Sequence, residues 1–522
     1  MSTPVEITTL TKAGGPLTKR ITLDPDGSLR SDGSACVMSR GTARRVRFDD
    51  LGAFAGHIGS LDSNEAIALG MLRPDLPDQV EIITKHKLEE MNGAAHSGII
   101  ARTGTHIAYV PGQAAFALID IDTKGMPATV AAQIKAVGGF WPALVGVVPE
   151  LADTGRVVRK STTTGITRAD TGEALPGSNG RHIFLLVRDG GDVERFLRTL
   201  HDRCWLGGFG WMMVGAGGQL LERSIVDRMV FAPERLVFEG APVLVAPLKQ
   251  DQASRQAEAI EGAPLDTVSA CPPLRIVEQA RLAELRAKDA HRLAPDRAKA
   301  RDAFITSQAA HIVKRTDVAP EAARHMVERQ CGGVLLSGVE LPFDASEFEG
   351  CTVGDVLADP ERFVGATLAD PLEGIDYGQC KAKVMRRADG TLWINSFAHG
   401  RTVYELKHGA GEIEATLAAA NDDQVVEMFV RLAIGGDIPA PDMERLRDLV
   451  AKRARIGKRT IARAIEAART EQDAQQRKTE RERMAAERRD PRPQIPSPAP
   501  DAPWLPQMEV LAFPSYACRK CR

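Results

Sequence analysis

The stretch AFALIDIDTKG, residues 115–125, decides how this chain reads. An apolar run ends in two aspartates one residue apart. Side chains in a strand alternate between faces, so Asp120 and Asp122 share one side and Ile121 takes the other. Two carboxylates that close repel, and stranding a buried charge without its partner costs about 3–5 kcal/mol. A divalent cation between them removes that cost. The plainer alternative is a solvated strand end whose aspartates cap a turn.

Working outward from this strand, residues 98 to 245 alternate between strands and helices. GIIARTG, HIAYVPG and FALIDID precede the helix MPATVAAQIKAVGG, and HIFLLVRDG precedes the helix DVERFLRTLHDRCWLGG. This order predicts an α+β fold, a sheet carrying helices on one face. Upstream, VEITTLT and RRVRF, separated by DPDGS and SDGSA, predict a β-meander over residues 1–60. NEAIALGMLRP predicts a helix that stops at Pro74.

Two further segments carry polar groups suited to a metal-bound triphosphate. LPGSNGRHIFLLV sets His182 at the mouth of an apolar strand after a turn of small residues, where backbone can approach phosphate closely. LLERSIVDRMVFAPERL brings Asp227 after a short apolar run, between Arg223 and Arg228. Read singly, the histidine is a locally satisfied side chain and the aspartate part of a surface ion-pair cluster. Read together, Asp120, Asp122 and Asp227 could hold cations for two-metal phosphoryl transfer while His182 steadies phosphates.

In order and context these segments resemble the motifs of the archaeo-eukaryotic primase superfamily, in particular the primase-polymerases of plasmids, phages and integrated mobile elements. FALIDID matches the strand ending in D-x-D, Gly180-Arg181-His182 matches small-x-His, and SIVD with Asp227 matches the apolar run ending in an acid. The resemblance spans residues 98–245. It implies a catalytic core with a palm like an RNA-recognition motif, Mg²⁺ or Mn²⁺ on Asp120, Asp122 and Asp227, and His182 on the phosphates of an NTP or dNTP. Ser178 and Gly180 of the small-residue turn, with Arg159, Lys160 and Ser161, are further candidates for holding nucleotide or template. The implied partner is a single-stranded DNA template.

Residues 1–97 match no motif of that family, so their membership of the catalytic unit stays open, and the core is bounded at 98–247. Residues 248–330, rich in Ala, Arg, Glu and Gln, predict an exposed helical linker. Residues 331–410 predict a small α+β domain with a hairpin turning at Asp389-Gly390, in which Trp393, His399 and Tyr404 either stack on bases or form a small core. Residues 411–488 are helical. There, MERLRDLVAKRARIGKRTIARAIEAAR predicts two short amphipathic helices about Ile456-Gly457, in the pattern of a helix-turn-helix, and nine Lys/Arg face four Asp/Glu between Pro441 and Arg469. Lys458, Arg459 and Arg463 are the candidate DNA contacts. Residues 489–522 are proline-rich and read as disordered.

The bulk numbers bound the rest. At 522 residues the chain divides into several domains, and a formal charge of −2 assigns any nucleic-acid affinity to local basic patches. Eight scattered cysteines suit a reducing compartment, with Cys518 and Cys521 the one C-x-x-C. No apolar run is long enough to span a bilayer, and the expected location is cytoplasmic. ARIGKRT lacks the P-loop pattern, so unwinding falls to a separate helicase. The reading is thus a DNA-templated nucleotidyltransferase. Its rivals are a replication-initiation protein with an inactive primase core and a D-x-D metal-dependent glycosyltransferase.

Overall fold

A computed structural model describes residues 4–91, 98–121, 123, 125–178, 180–315, 318–375, 378–387, 389–398 and 403–487. Helices and several small sheets make it a mixed α+β protein. The chain forms two units, Met1–Ala419 with Gly435–Met443 and Ala420–Ile434 with Glu444–Arg522. Among the described residues no single helix is long and apolar enough to cross a membrane.

The aspartate strand, Ala115–Ile121, is buried along both faces until Asp120, which explains its unbroken apolar run. It is an edge of a four-stranded antiparallel sheet. Its neighbour is Arg181–Val187, followed by Arg156–Lys160 and Glu258–Ile260. The helix Val193–Leu206 buries Phe196, Leu197, Leu200 and Cys204 in the core beneath this sheet. The last strand lies beyond the expected boundary at 247, because three residues are too few to give an alternating signal.

The N-terminal region belongs to the same body. Its five-stranded sheet runs Glu65–Ala68, Val5–Lys12, Gly41–Phe48, Gln79–Ile83, Ile99–Ala101, so a cut at 97 would divide a sheet. Leu51–Gly59 is a helix inside the expected meander, started by Asp50, whose side chain accepts from Ala53 N–H at 2.7 Å. Phe54 on this helix stacks on Phe116 at 4.0 Å and meets Phe184 edge-on at 5.2 Å. Val5, Ile7, Leu51 and Ile58 share one hydrophobic core with the aspartate strand. The helix expected over NEAIALGMLRP is instead the strand Glu65–Ala68, paired with Thr8–Thr11, and the strand Met71–Leu72. Ala, Ile, Leu and Met suit either state, and pairing with a buried strand decides it.

After the short helix Thr267–Ala270, the segment expected as a linker has three longer helices with different attachments. Ile276–Arg292 and Ala294–Arg315 bury only Leu282 and Ile305, as their charged faces imply. Pro320–Gly332 instead sends Met326 into the core of the small domain. That domain holds a five-stranded sheet in the order Val334–Leu336, Val403–Lys407, Leu392–Ser396, Ala382–Arg386, Thr367–Leu368. The strands Ala382–Arg386 and Leu392–Ser396 meet across the turn at Asp389-Gly390, where Gly390 takes φ +85°. Tyr404 is buried with its hydroxyl on the Asp370 carboxylate, so it is a core residue and presents no stacking face.

Two helices, Ala440–Ala454 and Lys458–Glu487, do flank the expected break at Ile456-Gly457, but the second runs for 30 residues where a short helix was expected. Alanine, arginine, glutamate and glutamine propagate it with no glycine or proline to stop it. Ile461 and Ile465 are its buried positions, while Arg459 and Arg463 are exposed four residues apart. His399 and the tail from 488 onward, with Cys518 and Cys521, lie outside the described residues.

Candidate functional site

Three strands and a short turn assemble the site. Asp120 lies directly opposite His182, which lies directly opposite Arg159. Residues opposed in antiparallel strands face the same side, so carboxylate, imidazole and guanidinium form a row across the sheet. His182 Nε2 is 3.7 Å from Asp120 Oδ1. Asp227 follows the strand Leu220–Ser224 and opens a short 3₁₀ turn, its side chain accepting from Met229 N–H at 2.8 Å. Its own backbone N–H donates to Asp120 O at 3.1 Å, which fixes the second acid beside the first. Asp122 lies outside the described residues.

The row is organised by a residue the sequence motifs did not single out. Glu239 is 1% exposed and receives His182 Nδ1–H in a short hydrogen bond. The guanidiniums of Arg159 and Arg255 each lie 3.2 Å from Glu239 Oε2, and Arg255 also donates to Glu239 O at 3.1 Å. Burial alone would raise the Glu239 pKa, but His182, Arg255 and Arg159 outweigh it and hold the carboxylate ionised. Burial likewise opposes a charged His182, yet Glu239 and then Asp120 raise its pKa above the ordinary imidazole value. With Nδ1 committed to Glu239, Nε2–H is the donor left facing Asp120. Arg159 is therefore a buried strut of this network and does not line the cavity over Asp120.

A cavity of about 330 Å³ opens over Asp120 and His182. Lys160, Ser161, Ser178 and Gly180 line it, as do Arg181 and, from distant segments, Lys19, Arg235 and Arg255. Five Lys/Arg residues therefore face one aspartate, a balance that suits a polyanion. Two loops close one wall. Ser178 Oγ donates to Ser161 Oγ at 2.8 Å, and Ser178 N–H donates to Thr163 Oγ1 at 2.9 Å. The approach depends on Gly177, where a Cβ would lie 2.3 Å from Thr163 O. Thr162, 6% exposed, lines the cavity, and its hydroxyl finds no partner among the described residues.

Asp120 lines the cavity and Asp227 is tied to it through its backbone N–H; carboxylate oxygens are the donor type that Mg²⁺ or Mn²⁺ takes. A second cluster needs a different reading. Among the described residues, ligating atoms of His201, Asp202 and Glu222 converge within 4.8 Å. Arg286 already bridges Asp202 at 2.7 Å and Glu222, and Arg228 adds a contact to Glu222 at 3.5 Å. A cation there would have to displace a guanidinium, so the cluster is an ion-pair brace between the helices Val193–Leu206 and Ile276–Arg292.

Comparisons with protein families, with curated proteins and with solved structures returned no match. Of the residues missed in the sequence, Glu239 had one local signal, a lone acid at the end of the apolar run LVFE before a glycine. Lys19 and Arg235 had none, because only the fold brings them to the aspartate strand.

In the second unit, Lys458 is paired with Asp448 and lies 3.7 Å from Glu444, which leaves Arg459 and Arg463 as the more available of the three candidate DNA contacts.

Proposed function

We propose that the protein is a template-directed nucleotidyltransferase, a primase-polymerase of the archaeo-eukaryotic type, acting on the DNA of a mobile element. The observation that carries the reading is the row Asp120–His182, with Asp227 tied to Asp120 through its backbone, at the mouth of a cation-lined cavity. In the reaction a 3′-hydroxyl oxygen bonds to the α-phosphorus of a bound NTP or dNTP, the bond to the bridging oxygen breaks, and pyrophosphate leaves. Asp120, Asp122 and Asp227 would hold Mg²⁺ or Mn²⁺, which supplies charge neutralisation at the reacting phosphate.

The chain's own groups bind and orient. His182 donates Nε2–H to a phosphate oxygen, and Glu239 keeps that imidazole charged and aligned. Lys160, Arg181, Lys19 and Arg235 offset the triphosphate's charge, and the Ser161–Ser178 loop contact closes the wall beside it. Arg459 and Arg463 of the second unit would add sequence-independent contacts to DNA phosphates. A glycosyltransferase would need the aspartates and a nucleotide diphosphate, but not a protonated histidine held by a buried glutamate.

Equilibrium binding of labelled dATP and ATP with Mg²⁺ tests the assignment of the cavity. The expected result is saturable binding weakened about ten-fold or more by His182→Ala, the scale of one charge-assisted hydrogen bond. Competition by nucleotide sugars but not by nucleoside triphosphates would overturn it.

A further inference from the structure

The sheet of the small domain has one packed face and one partly exposed face. Ala382, Val384, Leu392 and Ile394 lie in the buried core on the packed side. Alternation sends the residues between them to the other side, Lys383 opposite Asn395 and Met385 opposite Trp393. The ladder runs one step further, since Phe397 N–H donates to Lys381 O at 2.7 Å, which sets Phe397 beside Lys381 on the same face. None of the described buried clusters draws on Met385, Trp393 or Phe397, and Phe397 is 63% exposed.

The chemistry of this face is cationic and aromatic. Arg387 lies over the Trp393 ring at 5.8 Å, while Lys383 and Lys381 follow along the neighbouring strand. Glu405, across from Trp393, has Lys407 at 3.7 Å. At the Phe397 end, Lys381 lies within electrostatic range of Lys19 and Arg235, two of the cations that line the cavity, without lining it itself. From Trp393 to Phe397 the strand covers about 13 Å at a rise of ~3.3 Å per residue. Sheets that present aromatics in this way stack two or three bases.

We propose that this partly exposed face is a binding track for single-stranded nucleic acid, with bases on Trp393 and Phe397 and the backbone along Lys383 and Lys381. With Lys381 near two of the cations that line the cavity, the bound strand would serve as the template of the proposed reaction. That role rests on the functional reading above, whereas the binding itself does not.

The test is fluorescence anisotropy of a labelled oligo(dT) with the full chain, read in parallel with dATP binding. Trp393→Ala and Phe397→Ala should each weaken oligo(dT) binding about ten-fold, the scale of one stacked base, and leave dATP binding unchanged. Trp393→Phe should restore most of the loss, which a folding defect would not allow. Lys381→Ala with Lys383→Ala should reduce the salt dependence of binding by about one to two phosphate contacts. Oligo(dT) affinity within two-fold of wild type in Trp393→Ala and Phe397→Ala, no oligo(dT) binding by wild type, or equal preference for duplex, overturns the track. Loss of oligo(dT) binding in the variants of a wild type that makes no product would keep the track and reject the polymerase reading.

Discussion

Glu239 is the residue on which the site turns. Buried among His182, Arg159 and Arg255, it sets the charge of the imidazole and anchors two guanidiniums. Glu239→Gln should raise the apparent KM for nucleotide by about ten- to hundred-fold with a much smaller change in kcat, the scale of a hydrogen bond to a charged group. Adding His182→Ala should then cost little more, because the two act as one unit. A steady-state comparison of the single and double variants checks this, and an unchanged KM in Glu239→Gln would refute it. A second carboxylate gives a pH signature. Burial would raise the pKa of Glu222, but His201, Arg228 and Arg286 overcome this and bring it from the ordinary 4.5 to about 2. Because the folded value is the lower one, this stabilisation is complete above pH 4.5 and is lost as pH falls toward 2. It amounts to on the order of 3 kcal/mol. Urea unfolding at pH 6 and pH 3 should show a drop in wild type that shrinks in Glu222→Gln.

At the scale of elements, the sequence was most legible where one strand carried its whole signal. AFALIDI and RHIFLLV read as strands from composition alone, and both are strands, paired so that Asp120 meets His182. The turn at Asp389-Gly390 was legible for the same reason, a local rule with a local consequence. Illegible elements depended on partners far along the chain. Glu65–Ala68 is a strand because Val5–Lys12 is beside it, and Glu258–Ile260 because Arg156–Lys160 is. Glu239, Lys19 and Arg235 reach the site only through such pairings, which no local pattern records. The helix Leu51–Gly59 gives this a measurable form. Phe54→Ala removes the ring stacked on Phe116 and should cost about 3–5 kcal/mol by urea denaturation, although it lies outside the resemblance region. A loss below 1 kcal/mol would mean that the N-terminal region folds apart from the aspartate sheet.

On the scale of the whole molecule, the first unit reads as one core with a cavity above it and a small domain attached. Residues from Val5 to Cys271 contribute to that core, so the fragment 98–247 should fail to unfold cooperatively while residues 1–292 should do so. Circular dichroism during heating distinguishes them. The central claim is that Asp120 and its neighbours transfer nucleotides on a template. The most direct measurement is strand synthesis by the full chain on single-stranded DNA, with labelled NTPs or dNTPs and Mg²⁺ or Mn²⁺, with and without a primer. Wild type should yield products that follow the template, and Asp120→Ala and Asp227→Ala should yield none while binding oligo(dT) as wild type does. Full synthesis by either aspartate variant, or none by a wild-type protein that binds both nucleotide and DNA, would contradict the account.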